Sequence, residues 1–192
     1  MIIDKVGYAA DATGPKRVPR SGSYTALIRR LFRGHSALAI IGIDQKSRSG
    51  EVVRGIGSEL GASGNRVVIV TQEGLLRPDA HCVKTSVRLD AASNVWFWPD
   101  GLRTAARSAD ESTEMSGESD WLAYLCREFD MVLLDCPAVG TSPAAAETAA
   151  MADAAVLVVE AAQTPKQRIK QAQRILDLTG VRLAGCVLMQ RR

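Results

Sequence analysis

The sequence has little of what most catalytic and membrane functions need. Only His35 and His81 are available, and neither stands near a second ligand candidate, so a histidine-held metal centre or a Ser-His-Asp triad has little support. The four cysteines, Cys82, Cys126, Cys136 and Cys186, form no CxxC pair and sit mostly in apolar segments, as reduced, structural thiols do. No apolar run approaches the ~20 residues that span a bilayer. The opening MIIDKVGYAAD places acids where a signal peptide is basic and then apolar, so the expected location is the cytoplasm. No block of one charge sign occurs: 24 basic and 21 acidic side chains are scattered, giving a net charge of +3 and no nucleic-acid or membrane signal.

What is present is apolar content, 46% of 192 residues, enough for one buried core. Residues 1–22, with Gly14, Pro15, Pro19 and Gly22 among scattered charges, read as a flexible N-terminal arm, and 23–192 as the domain. Leu27, Ile28 and Leu31 predict a short helix that Gly34 ends. Continuous apolar runs then follow at 37–43 (ALAIIGI), 66–70 (RVVIV), 95–98 (VWFW), 131–135 (MVLLD), 155–160 (AVLVVE) and 183–189 (LAGCVLM). Such runs are strands buried on both faces of a parallel sheet. Helical patterns separate several of them: Val52, Val53, Ile56 and Leu60; Trp121, Leu122 and Leu125; Ile169, Ala172, Ile175 and Leu176. Gly64 and Gly180 stand where helix C-termini favour glycine. Residues 107–120 are polar and predict an exposed loop, whereas Trp96 and Trp98, on one strand face, predict burial. The expected fold class is α/β, a three-layer domain with a mainly parallel sheet flanked by helices.

Ligands of such sheets sit beyond the carboxyl ends of the strands, which directs attention to GIDQKSRSGEVV, 42–53. Here the chain resembles the bacterial tyrosine kinase family of capsule and exopolysaccharide export, a branch of the deviant Walker ATPases, and the resemblance implies that the α/β domain is P-loop NTPase-like. The resemblance runs from about Tyr24 to Gln190 through SGSYTALIRRLF, GNRVVIV, NVWFWPDG, FDMVLLDCPAVG and the MADAAVLVVE to GCVLM segment. Its strongest element is the strand closing on Asp135, Cys136 and Pro137.

The resemblance implies a phosphate-binding loop at Asp44, Gln45, Lys46, Ser47, Arg48, Ser49, Gly50 and Glu51, and there the chemistry departs from the family. A working loop needs glycines so that main-chain N–H groups converge on phosphate, a lysine for the β and γ oxygens, and a hydroxyl for Mg²⁺. Counted without gaps, the final glycine falls on Arg48, the lysine on Ser49 and the hydroxyl on Gly50, while Lys46 replaces another glycine. Side chains at Lys46 and Arg48 restrict positive φ and predict a misshapen loop. Losing the lysine forfeits charge-assisted hydrogen bonds of roughly 1.5–3 kcal/mol each. A two-residue slide puts Glu51 at the lysine place, where a carboxylate about 4 Å from a phosphate charge costs roughly 4 kcal/mol at an effective dielectric near 20.

Other implied positions depart in the same direction. Thr71 and Glu73 stand at the two aspartates of the second acidic motif, and Met189 at the asparagine that reads adenine, with Gln190 one place late. Asp135 survives, at a place that in the family lies beside the metal. Lys46, Arg48 and Arg54 leave the loop basic, as an anion site or, more simply, a solvated loop. The last tyrosine is Tyr124, so the C-terminal cluster that family members phosphorylate has no counterpart in this sequence, and the family's ring-forming glutamate and arginines correspond to Gly22, Thr25 and Ile28. Homo-oligomers remain conceivable, though not by that motif.

The implied function is a non-catalytic, pseudokinase-like component of polysaccharide synthesis or export with a degenerate Walker A loop and no cofactor. It would act at the inner membrane by docking to an integral-membrane co-polymerase or chain-length regulator. The alternative is an active ATP-dependent tyrosine kinase or ATPase with rearranged ligands, Lys46 replacing the lysine and Glu73 and Asp135 holding Mg²⁺. Division-site and chromosome-positioning ATPases share the fold, but no basic DNA face or amphipathic tail is evident here.

Overall fold

The computed structural model describes Tyr24, Ile28 and residues 34–72, 75, 87–98, 120–142, 144–161 and 163–190. The expected arm, Gly22, Thr25, Glu73, His81, Cys82 and all but the last residue of the 107–120 loop lie outside these residues.

Seven strands form one sheet: β1 (Ala37–Gly42), β2 (Val67–Val70), β3 (Arg88–Asp90), β4 (Val95–Trp98), β5 (Met131–Cys136), β6 (Ala154–Glu160) and β7 (Leu183–Met189), in the order β3-β4-β2-β5-β1-β6-β7. All neighbouring pairs are parallel except β3 with β4. The expected parallel sheet is therefore present. Arg88–Asp90 is the one strand the apolar runs did not announce: its three residues are all exposed, so no burial pattern marks it.

The pleat sends alternate residues of each strand to opposite faces. From β1, Leu38 and Ile40 join Val52, Val53, Ile56 and Leu60 of α1 (Ser49–Ala62) on one face. Ala37, Ala39 and Ile41 point the other way, into a layer built by α2 (Asp120–Glu128), α3 (Ala144–Ala150) and α4 (Lys166–Leu178). Each fully buried Leu, Ile or Val contributes roughly 1.5–3 kcal/mol, and β1 and β6 are buried along their whole lengths. That central pair fixes the frame on which the site stands.

The predicted inner faces of α1, α2 and α4 are the observed ones, with Trp121, Leu125, Ala172 and Leu176 buried. Helix α3 had no sequence signal, because AAAETAA offers alanines and no large apolar period. Gly34, Gly64 and Gly180 all have positive φ, 87°, 86° and 74°. Trp98 is buried against Trp121 at 5.2 Å between ring centroids, and Trp96 meets Phe129 edge-on at 6.0 Å, so both tryptophans serve packing. Cys126, Cys136 and Cys186 are free thiols, and burial raises the pKa of each. Tyr24 lies against α1 where Gly55 leaves room: a Cβ there would stand only 2.3 Å from the ring.

Candidate functional site

The loop between β1 and α1 lies at the carboxyl ends of β1, β5 and β6. Gly42 lets it fold back on itself, since a Cβ at that position would stand 2.7 Å from Cβ of Ser47. The Ser47 hydroxyl oxygen accepts from the main-chain N–H groups of Ile43 and Asp44, at 3.1 and 3.2 Å. Its proton goes to the Asp44 carboxylate, 3.4 Å away. That carboxylate also accepts from the N–H of Lys46 at 3.0 Å, and the N–H of Ser47 donates to the Asp44 carbonyl at 3.0 Å.

These are the kind of main-chain donors that a phosphate-binding loop turns toward its ligand. Here the loop's own hydroxyl and carboxylate hold them. A nest of converging N–H groups also needs residues of positive φ, and none from Ile43 to Gly50 has one. The loop is a closed turn centred on Asp44 and Ser47.

Arg48 precedes the first turn of α1 without a side-chain cap. Its guanidinium crosses to the ends of the neighbouring strands. Nε donates to Oε1 of Glu160 at 3.0 Å, one terminal nitrogen donates to the carbonyl of Gln190 at 3.0 Å, and the other meets Glu51 at 3.5 Å. Glu160 is only 5% exposed, so this is its counter-charge inside the protein. The hydrogen bond to Glu160 is the main reason the Arg48 pKa is raised. The expectation of a solvated, basic loop needs correction at this residue: Arg48 is spent on a buried acid, and only Gln45 and Lys46 of the turn are exposed.

Helix α1 begins at Ser49, the place where the resemblance puts the lysine. Its side chain is buried and donates to Oδ1 of Asp135 at 3.3 Å. A Cβ on Gly50, the implied magnesium hydroxyl position, would stand 3.5 Å from Oδ2 of the same carboxylate. Burial raises the Asp135 pKa, opposed by hydrogen bonds from Ser49 and Gln72 and by the charge of Arg54. Asp135 is therefore an acid with partial compensation and, among the described residues, no cation in contact. Among the described residues no group of three or more His, Cys, Asp or Glu could hold a metal. Glu73 lies outside them, and Thr71 sits half-buried beyond the end of β2.

Mg-ATP is thus a poor fit to the side chains present. The turn holds its own amides, the cationic position carries a serine, and the Arg48 guanidinium spans the path from the loop to the end of β7. The segment after β5 closes the turn from behind, with Val139 N–H donating to Gly42 O at 2.9 Å and Gly140 N–H to Ile43 O at 3.0 Å. Three participants had not been expected: Glu160, the Gln190 carbonyl, and Arg168, which pairs with Asp44 at 3.5 Å. Glu160 alone left a trace, as an acid ending an otherwise apolar strand.

The sequence matches no protein-family model and no curated protein. Among solved structures, the chain is similar to the BceF tyrosine kinase domain (18% identity, TM-score 0.68, 85% of this chain and 73% of that one). It is likewise similar to the kinase domain of the Escherichia coli tyrosine kinase ETK (14%, 0.70, 88% and 73%) and to the VpsO kinase domain (14%, 0.71, 88% and 91%). The septum site-determining protein MinD of Pyrococcus horikoshii, complexed with Mg-ADP, matches at 16% identity and TM-score 0.57 over 78% of this chain and 68% of that one. At these identities the likeness establishes the fold: a P-loop NTPase-like α/β domain of the kind found in bacterial tyrosine kinases and MinD ATPases.

Proposed function

We propose that this protein is a non-catalytic relative of the bacterial tyrosine kinases, serving polysaccharide synthesis or export by docking to a membrane-embedded chain-length regulator. The observation that carries this reading is the self-satisfied loop, in which Ser47 and Asp44 hold the turn's amides and Glu160 holds Arg48. Opening the turn for a triphosphate forfeits several hydrogen bonds of about 0.5–1.5 kcal/mol each. Drawing Arg48 away leaves a buried carboxylate unpaired, at about 2 kcal/mol more for a pair whose arginine is partly exposed. A penalty of about 4 kcal/mol already moves a micromolar site to about millimolar. The fold remains as a rigid body with surfaces to present, and fold persists where sites do not.

No helix among the described residues is long and apolar enough to cross a membrane, so attachment at the inner membrane would come through the partner. The test is co-purification of the tagged chain with a chain-length regulator from detergent-solubilised membranes at low salt. Recovery of the regulator is expected; recovery of none, with folded bait, contradicts docking.

A second reading keeps an ATP-dependent tyrosine kinase or ATPase with rearranged ligands. It draws on the Ser49 and Asp135 pair, which offers two oxygens to a cation, and on the exposed Lys46. It requires the closed turn to open on binding, and that requirement separates the two readings experimentally.

A further inference from the structure

A cavity of ≈ 310 Å³ lies beside the loop, between the segment after β5 and α4. Ile43, Val139, Ala172 and Ile175 give it aliphatic walls, and Asp44, Thr141, Arg168 and Gln171 complete the lining with polar groups. The polar groups in the wall are already bonded, Gly140 N–H to Ile43 O at 3.0 Å and the Thr141 hydroxyl to Ala138 O at 3.0 Å. The polar side chains open to a ligand are the exposed Gln171 and, at the mouth, Asp44 and Arg168, which pair with each other at 3.5 Å and are 25% and 61% exposed.

From this geometry we infer that the cavity receives one bulky apolar side chain of a partner polypeptide, whose main-chain amide group bonds to Asp44 and Arg168 in place of their bond to each other. The volume is at the low end of ligand pockets, which run from about 300 Å³ upward, and suits a single side chain such as leucine or methionine. The mouth is net neutral. A phosphate or carboxylate ligand would meet the Asp44 carboxylate, and a cation would meet Arg168, whereas a peptide group offers an N–H to one and a C=O to the other. A sugar ring, which would stack on a flat aromatic face, finds none among the lining residues. The inference rests on the docking function proposed above and names where on this chain the partner sits. It also ties docking to the loop, because Asp44, whose Oδ2 faces Arg168, holds the Lys46 amide through Oδ1.

The test uses the full chain, ¹³C-labelled at Ile and Val methyls, titrated with N-acetyl-leucinamide and, as control, N-acetylglycinamide. Saturable shifts at Ile43, Val139 and Ile175 with the leucine compound alone are expected. Arg168→Ala, on the surface, should weaken the response about tenfold, as loss of one charge-assisted hydrogen bond does. Ala172→Leu should abolish it by filling the space. Absence of saturable shifts, equal shifts with the glycine compound, or a response unchanged in Arg168→Ala overturns the assignment, whether or not Ala172→Leu folds. If the wild type binds the regulator and Arg168→Ala and Ala172→Leu, both folded, bind it equally well, the cavity is overturned while docking stands. If the wild type fails to bind the regulator yet responds to the leucine compound, docking falls and the cavity's ligand chemistry stands.

Discussion

The guanidinium of Arg48, in the loop after β1, donates to the buried carboxylate of Glu160 at the end of β6, 3.0 Å away across 112 residues of sequence. In this chain the residue before the first turn of α1 is the internal counter-charge of a strand-end acid. That contact accounts for the glutamate's burial and for the altered loop at once.

Removing the arginine should expose the dependence. Arg48→Ala leaves Glu160 without its partner and is expected to lower stability by about 2 kcal/mol, less than the ~3–5 kcal/mol of a fully buried pair because Arg48 is 31% exposed. Adding Glu160→Gln should recover part of the loss, a coupling that a double-mutant cycle in urea detects. Strictly additive effects would mean the pair does not interact in solution.

The loop's internal bonds predict a local effect. Ser47→Ala deprives the Ile43 and Asp44 amides of their acceptor, at about 1–3 kcal/mol for an unsatisfied buried donor. Hydrogen exchange at those two amides should accelerate at least severalfold, with strand β1 unaffected. Unchanged exchange would show that the hydroxyl does not hold the turn.

How much of this could be read from the residues alone depends on how local each signal is. The sheet was legible because strands buried on both faces, such as Ala37–Gly42 and Ala154–Glu160, are unbroken apolar runs. Arg88–Asp90 escaped because an exposed edge leaves no such mark, and Ala144–Ala150 because alanines show no amphipathic contrast. The placement of residues 44–51 in the turn between β1 and α1 and at the start of that helix was equally legible, since that loop directly follows an unbroken apolar strand. Where their side chains went was not. Arg48 with Glu160, and Asp44 with Arg168, are tertiary pairs made by strand order, and no spacing rule connects residues so far apart.

Asp135 sets a pH dependence. Burial raises its pKa in the folded protein above the unfolded value, so the unfolded state loses the proton first and stability falls as pH rises from the ordinary aspartate range, about 3.9, through the folded pKa. Asp135→Asn should therefore stabilise the protein at pH 7 and lose that advantage below about pH 4. Thermal unfolding at the two pH values measures it; a difference that persists unchanged in acid contradicts the assignment.

Restoring the lost residues is predicted to be insufficient by itself. Ser49→Lys with Gly50→Ser returns a cation and a hydroxyl beside Asp135, yet Ser47 still holds the amides and Arg48 still crosses to β6. Measurable Mg-ATP binding is expected only when Ser47→Ala and Arg48→Gly are added. Binding by the two-residue variant alone would show that the closed turn is no obstacle.

The most direct measurement is a calorimetric titration of the unaltered protein with Mg-ATP. A self-satisfied loop predicts no saturable heat below about millimolar nucleotide. Saturable, stoichiometric binding in the micromolar range would contradict it, because the turn around Ser47 and Asp44 would then have to yield its own hydrogen bonds to the phosphates at little cost.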